Sequence, residues 1–328
     1  MTQAGSDDAR DWRPTASRAT LELRAALLAR ARSFFAARGV LEVDTPFVVN
    51  APVTDVHIHS ARVTLDASER HFFLHTSPEY AMKRLLAAGV GDIYQICHVV
   101  RAHERGQLHN AEFTLIEWYR RGYSLDALMS EVEALVRELL GVRGTPARTS
   151  GRVSYRDAFR QALALDPFTA PLAELAQHAR QSGFAGMATD RDELLEMLMG
   201  TVVGPRLGRG GLTFVHGYPA SQAALARLDP ADPCVAQRFE LYCEGIELAN
   251  GFHELTSVRE QRSRFERDIE ERRRLGLPAA TPDERLLAAL EAGLPDCCGV
   301  ALGFDRTLML AAGAECIDAV LPFPIERA

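Results

Sequence analysis

Two runs in the first half of the chain constrain the fold most. Ile93 to Arg101 and Glu112 to Arg120 are both of strand length and character, and a polar stretch, Ala102 to Ala111, separates them. The second alternates at period two, the mark of a sheet strand with distinct faces. Together they predict an antiparallel hairpin with a long loop. A second hairpin is expected over Phe239 to Glu254, with Glu244-Gly245 at its turn. A third element, Gly299-Val300-Ala301-Leu302-Gly303, reads as a small-residue strand running straight into a helix, Phe304 to Ala312. His71 to His75 and Thr213 to Val215 are shorter strand candidates.

Helices fall between these strands. Residues 17–38 carry a Ser17 cap and a Gly39 stop, and Ser77-Pro78-Glu79 is a helix start whose helix runs to Ala88, before Gly89. Ser124 to Leu140 is amphipathic, Ser257 to Leu275 is heavily charged, and residues 141–200 read as helical with Pro/Gly breaks at 144–146 and 166–171. No βαβ rhythm and no internal repeat is present. The expectation is an α+β fold, an antiparallel β-sheet flanked by helices. It forms one domain over 17–328, with a polar tail at 1–16 and a helical insertion at 141–200.

Composition narrows the function. Hydrophobic residues at 47% and charged residues at 25% are those of an ordinary globular enzyme and exclude a disordered chain. No apolar run is long enough to span a bilayer, and the polar, aspartate-bearing Met1 to Asp11 has neither signal nor transit character. A cytoplasmic location is expected. A net charge of −7, with no dense basic cluster beyond Arg272 to Arg274, argues against a partner bound through its phosphate backbone. The six cysteines form no CxxC pair and predict buried reduced thiols.

Parity along the strands locates candidate chemistry. Phe113, Leu115, Glu117 and Tyr119 share one face, where the carboxylate and phenol can grip an ammonium and Phe113 can stack on a flat base. A half-exposed strand with a solvated glutamate is the plainer alternative. In the second hairpin Tyr242 should oppose Glu247, with Glu240 diagonal to it at roughly 7–8 Å, a pair suited to a divalent cation that bridges to phosphate. Asn250, Phe252 and Glu254 share a parity, and Gly251 permits a bulge that re-aims them. Arg306, in a helix's first turn, is badly placed for the helix dipole. Either a bound phosphate or a surface ion pair with Asp305 or Glu284 would account for it.

These pieces resemble class II aminoacyl-tRNA synthetases. Gly39 to Pro46, the hairpin from Arg101 to Phe113, and Gly299 to Arg306 look like the three signature motifs. Thr76-Ser77-Pro78-Glu79-Tyr80, His109-Asn110-Ala111-Glu112-Phe113, Glu117-Trp118-Tyr119 and Glu247 through Leu255 are similar to the lysyl branch. Within it the likeness is strongest to the freestanding paralogues that ligate (R)-β-lysine to translation elongation factor P. Only 16 residues precede the first helix, too few for an anticodon-binding barrel. Ala301 stands where tRNA-charging lysyl enzymes have glycine, and one methyl is worth about 1–3 kcal/mol of discrimination.

The resemblance implies ATP as a substrate, Mg²⁺, and an amino acid activated as its adenylate. Arg101, the catalytic residue, would bind the α-phosphate and the substrate carboxylate. Ala102, His103, Asn110, Glu247, Leu248 and Gly303 would contact ATP, with Phe113 and Arg306 sandwiching adenine. Glu240 and Glu247 would hold the metal. Ser77, Pro78 and Glu79 would meet the amine nearest the carboxylate. Glu117, Tyr119 and Glu254 would hold the distal ammonium, while Asn250, Phe252 and Ala301 shape the pocket.

The family pattern has a glutamate two residues after the motif's arginine; here His103 stands there and Glu104 follows. Either the imidazole takes over the adenine edge or the loop shifts so that Glu104 does. The resemblance also implies a homodimer through the Pro46 segment and elongation factor P as partner, while charge and composition argue against DNA, tRNA and membrane as partners. The alternatives are a truncated enzyme charging a tRNA and a non-catalytic amino-acid-binding paralogue.

Overall fold

The computed structural model describes residues 12–65, 71–141, 149–184, 186 and 190–328. Most of the expected polar tail and the breaks at 144–146 lie outside them. In chain order the strands are Leu41–Glu42 (β1), Val48–Val49 (β2), Arg62–Val63 (β3), Phe72–Leu74 (β4), Ile93–Val100 (β5), Glu112–Arg121 (β6), Thr149–Ser154 (β7), Gly211–Pro219 (β8), Val235–Cys243 (β9), Ile246–His253 (β10) and Cys297–Gly303 (β11). The α-helices are Arg18–Ala36 (α1), Glu79–Ala87 (α2), Leu125–Leu140 (α3), Tyr155–Leu163 (α4), Leu172–Gln181 (α5), Arg191–Leu198 (α6), Val258–Arg274 (α7), Glu284–Gly293 (α8) and Phe304–Ala312 (α9).

Eight strands form one sheet in the order β1-β5-β6-β11-β10-β9-β8-β7, and β2-β4-β3 form a small second sheet. The central six strands pair antiparallel, as expected; only the outer pairs β1–β5 and β7–β8 are parallel. Alternation sorts each central strand onto two faces. Ile116, Trp118, Cys298, Val300, Leu302, Phe239 and Leu241 are buried with α1, α3 and α9 in the largest core cluster. The residues between them on β6, β9, β10 and β11 face the other way, into a cleft. A second core packs α4, α5 and α6 on β8, and a third packs α2 and α8 around Phe265 and Tyr119.

Local chemistry explains where the helices begin. Ser17 caps α1 by accepting from the Thr20 N–H, and Ser124 caps α3 by accepting from that of Ala127. The helix α2 starts one residue later than expected, at Glu79, although Ser77 Oγ still accepts from the Glu79 N–H at 3.0 Å.

Three expectations are revised. The segment 141–200 is not wholly helical, because β7 lies in it and extends the sheet beside β8; Thr149-Ser150-Gly151-Arg152-Val153-Ser154 has no apolar alternation, so pairing rather than pattern sets its conformation. Thr213 to Val215 is the middle of a nine-residue strand. The bulge in the second hairpin falls between Glu247 and Ala249, not at Gly251. Gly251 is required for packing instead, since a Cβ there would stand 2.5 Å from the Phe239 ring.

The Glu244-Gly245 turn is as expected, with both residues at positive φ (52° and 78°). The cysteines form no disulfide; Cys243, Cys297 and Cys298 are buried, but Cys234 is exposed. Among the described residues no helix is long and apolar enough to cross a membrane.

Candidate active site

A cleft of about 1250 Å³ opens on the face of the sheet away from α1, α3 and α9. The expected site residues reach its walls from four stretches of chain. The start of α2 brings Ser77, Pro78 and Glu79; the β5–β6 hairpin brings Arg101, Asn110, Phe113, Glu117 and Tyr119. From β10 and the residue after it come Glu247, Leu248, Asn250, Phe252 and Glu254, and from the β11–α9 junction come Ala301, Gly303 and Arg306. Sixteen of the expected site residues thus meet in one cavity. Ala102, His103 and Glu240 are not on its lining.

One end is acidic and buried. Glu117, 2% exposed, accepts from Ser77 Oγ at 2.7 Å on Oε2 and from the Tyr119 hydroxyl at 2.8 Å on Oε1. The solvated-glutamate alternative is therefore excluded. Glu254, 1% exposed, lies 2.5 Å from Lys83 Nζ through Oε2, while its Oε1 has no hydrogen-bond partner among the described residues. Lys83 also donates to Glu79 Oε1 at 2.6 Å. Burial, reinforced by the negative charge of Glu79, raises the Glu117 carboxyl above its usual range. Burial raises Glu254 as well, with Lys83 opposing the shift and Glu79 adding to it. Burial alone would lower Lys83, but Glu254 and Glu79 reverse that and raise it.

Sheet register places the pocket floor. Ala301 stands across from Glu117 on one side and Asn250 on the other, so its methyl projects between the two. Gly299 sits beside Tyr119 and Phe252. A Cβ on Gly299 would lie 2.3 Å from the Tyr119 ring and 2.4 Å from Glu254 Oε1, so only glycine fits there. At Gly303 the nearest atom to an added Cβ is 3.6 Å away, an ordinary contact. The protein's own packing therefore makes no demand for glycine at 303.

The other end carries cations. Arg101 is held by Thr76 O at 3.4 Å and lies over the Phe113 ring at 5.1 Å. Arg306 donates to Glu247 O at 3.0 Å and to Leu108 O at 3.2 Å, and His109 Nε2 accepts from it at 2.6 Å. Burial, with Arg306 and Arg101 nearby, lowers His109 to about 4, which keeps its ring a neutral acceptor. Neither acid proposed as a surface partner of Arg306 is paired with it: Asp305 pairs with Arg24 at 2.5 Å, and Glu284 with Arg262 at 2.7 Å.

The loop after Arg101 places its two candidates differently. His103, at φ 70°, is exposed and packs against His59, whereas Glu104 lines the cleft 3.8 Å from Arg101. Ala102 is tied by its N–H to His59 O. The amide of Asn110 is already engaged, donating to Glu112 O at 2.7 Å and accepting from the Ile325 N–H at 3.1 Å. It fastens the loop to the chain's last turn.

Glu240 and Glu247 face the same side, but Glu240 already accepts from Arg238 at 2.5 Å and from the Tyr242 hydroxyl at 2.6 Å. Enclosure in the cleft and the adjacent Glu240 raise Glu247, against Arg306, Arg238 and Arg101. Among the described residues no group of three His, Cys, Asp or Glu side chains is placed to hold a metal ion. A pair of carboxylates suits a cation whose remaining ligands are water and phosphate.

Sequence reasoning missed Lys83 and Gly299 as site residues. Glu79 and Lys83 are spaced i,i+4, which signals their pairing but not its burial. The row Gly299, Ala301, Gly303 on one strand face was a signal that something bulky covers it.

A family model for class II tRNA synthetases (D, K and N) matches residues 6–327. Curated relatives cover nearly the whole chain. One from Pasteurella multocida is 46% identical over 97% of this chain and 98% of its own length. Others from Klebsiella pneumoniae and Salmonella paratyphi C are each 47% identical with the same coverage. All three carry the name elongation factor P–(R)-β-lysine ligase. With the second and third motifs meeting in one cleft, this chain belongs to the class II tRNA synthetase family, and to the same family as these ligases.

Proposed function

We propose that the protein is an ATP-dependent ligase that activates (R)-β-lysine as its adenylate and transfers it to a lysine side chain of translation elongation factor P. One observation carries the reading: three carboxylates, buried Glu117 and Glu254 and half-buried Glu79, share a cleft with Arg101. Such a pocket suits a substrate bearing ammonium groups.

In this reading Glu117, Tyr119 and Glu254 hold the distal ammonium, and Ser77 and Glu79 meet the amine nearer the carboxylate. Arg101 neutralises charge as that carboxylate attacks the α-phosphorus in line, and pyrophosphate leaves. Phe113 and Arg306 grip the base, with Glu104 rather than His103 at its edge. Glu240 and Glu247 would hold Mg²⁺, which supplies charge neutralisation on the phosphates. A deprotonated lysine amine of the partner then attacks the acyl carbon, and AMP leaves. Orientation, with no covalent enzyme intermediate, supplies the rate. A homodimer joined near Pro46, a cytoplasmic setting and a single catalytic domain over 17–328 belong to the same reading.

ATP–pyrophosphate exchange with β-lysine and lysine side by side tests it. Exchange driven by β-lysine, with AMP released only when elongation factor P is added, is the expected result. Exchange indifferent to β-lysine, or efficient charging of a tRNA, overturns it.

A further inference from the structure

Lys83, on α2, is 1% exposed. Its ammonium is wedged between Glu79 at 2.6 Å and Glu254 at 2.5 Å. The groups around it are Glu79 on α2, Glu117 on β6, to which Tyr119 donates, Glu254 after β10, and Cys297 on β11. The helix packed against α2, α8, contributes Leu286, Leu287 and Leu290 beside Met82 and Leu86. Three carboxylates face one ammonium, so when all are ionised they outnumber it by two, and burial raises Glu117 and Glu254 accordingly. Both Glu254 oxygens are buried without a hydrogen-bond partner among the described residues; Oε2 is in ion-pair contact with Lys83, and Oε1 is the acceptor left over.

A buried carboxylate cluster is tolerable only when its charge is matched. We propose that Lys83 is a built-in counter-ion of the amine pocket. It cancels one of three carboxylate charges and holds Glu254 with one oxygen free, so that the pocket takes a ligand with two ammonium groups. The assignment rests on the ligase reading for its substrate class, and makes Lys83 a positioning residue rather than a catalytic one. Without its charge, Glu254 or Glu117 must take up a proton before a diamine can be matched. With it, both stay available as anions to lower pH.

The test is pyrophosphate exchange with β-lysine across pH 6–9 in wild type, Lys83→Met and Lys83→Arg. In Lys83→Met the acidic limb of kcat/KM should move up by about one pH unit or more. KM near neutrality should rise more than about tenfold while kcat changes far less. Lys83→Arg, which keeps the cation, should leave the limb in place. An unmoved limb in Lys83→Met overturns the assignment, as does a loss of kcat and KM together that simply tracks the melting temperature. A second measurement needs no variant. Calorimetry on the wild type should find β-lysine analogues lacking one or other amine bound at least about a hundredfold more weakly; near-equal affinity overturns the assignment. Absence of exchange in the wild type with any diamino acid overturns the ligase reading as well, whereas exchange with an unmoved limb overturns the role of Lys83 alone.

Discussion

Ser77 Oγ donates to Glu117 Oε2 at 2.7 Å and so ties the start of a helix to the floor of the sheet. The same oxygen accepts from the Glu79 N–H, so one hydroxyl both binds the first amide of α2 and aims the pocket's central carboxylate. Ser77→Ala should therefore weaken β-lysine binding without direct loss of a substrate charge. The expected cost is about 1–2 kcal/mol, or roughly tenfold in kcat/KM, measured by pyrophosphate exchange. Glu117→Gln should cost more, about 2–3 kcal/mol, because an ionic partner is removed.

Ala301→Gly removes the methyl between Glu117 and Asn250. Use of ordinary lysine should improve relative to β-lysine by roughly tenfold, within the worth of one methyl. Parallel exchange assays with the two amino acids measure it. An unchanged ratio would remove Ala301 from the specificity argument.

Gly299→Ala should do the opposite of a mild change. The new methyl would overlap the Tyr119 ring and Glu254 Oε1. Overpacking costs about 1–3 kcal/mol of stability, readable as a lower melting temperature. Exchange should fall by more than stability alone explains, because the amine pocket is what closes.

Ligand binding should release protons. Burial raises Glu117 and Glu254 in the free protein, with Glu79 adding to both shifts. An incoming ammonium favours the ionised carboxylates and pulls them back down. Over the interval from the ordinary carboxylate range up toward neutrality, the free site holds protons that the occupied site does not. Affinity for β-lysine should thus rise with pH across that interval. Titration calorimetry in buffers of different ionisation enthalpy should show net proton release near its upper end and little well above it. For stability of the free protein the sign is reversed. A raised carboxyl stabilises the fold at pH below its unfolded value, and that contribution is lost as pH rises through the folded one.

Much of the site was legible because strands alternate. Phe113, Glu117 and Tyr119 share a face whatever the rest of the chain does, and so do Asn250, Phe252 and Glu254. The register Tyr242 to Glu247 followed from a two-residue turn, and the structure has it. The resemblance then supplied roles that parity alone had left open. The bulge position was not legible, because Gly251 offered a plausible site while the actual one, between Glu247 and Ala249, carries no glycine. Nor was β7, whose residues lack the pattern of a strand and gain it only from a neighbour far along the chain.

The sequence by itself determined the central strands and most of the helices, the faces of the hairpins, and the family, since each depends on short-range spacing and on residues read a few positions at a time. Tertiary structure alone decided which charges meet out of water. Lys83 is an ordinary helix lysine in the chain and a buried counter-ion in the fold, and His103 holds a motif position yet gives way to Glu104 at the cleft. Burial and pairing depend on what other elements cover a side chain, and desolvation changes a charge's energy more than any neighbour in sequence does.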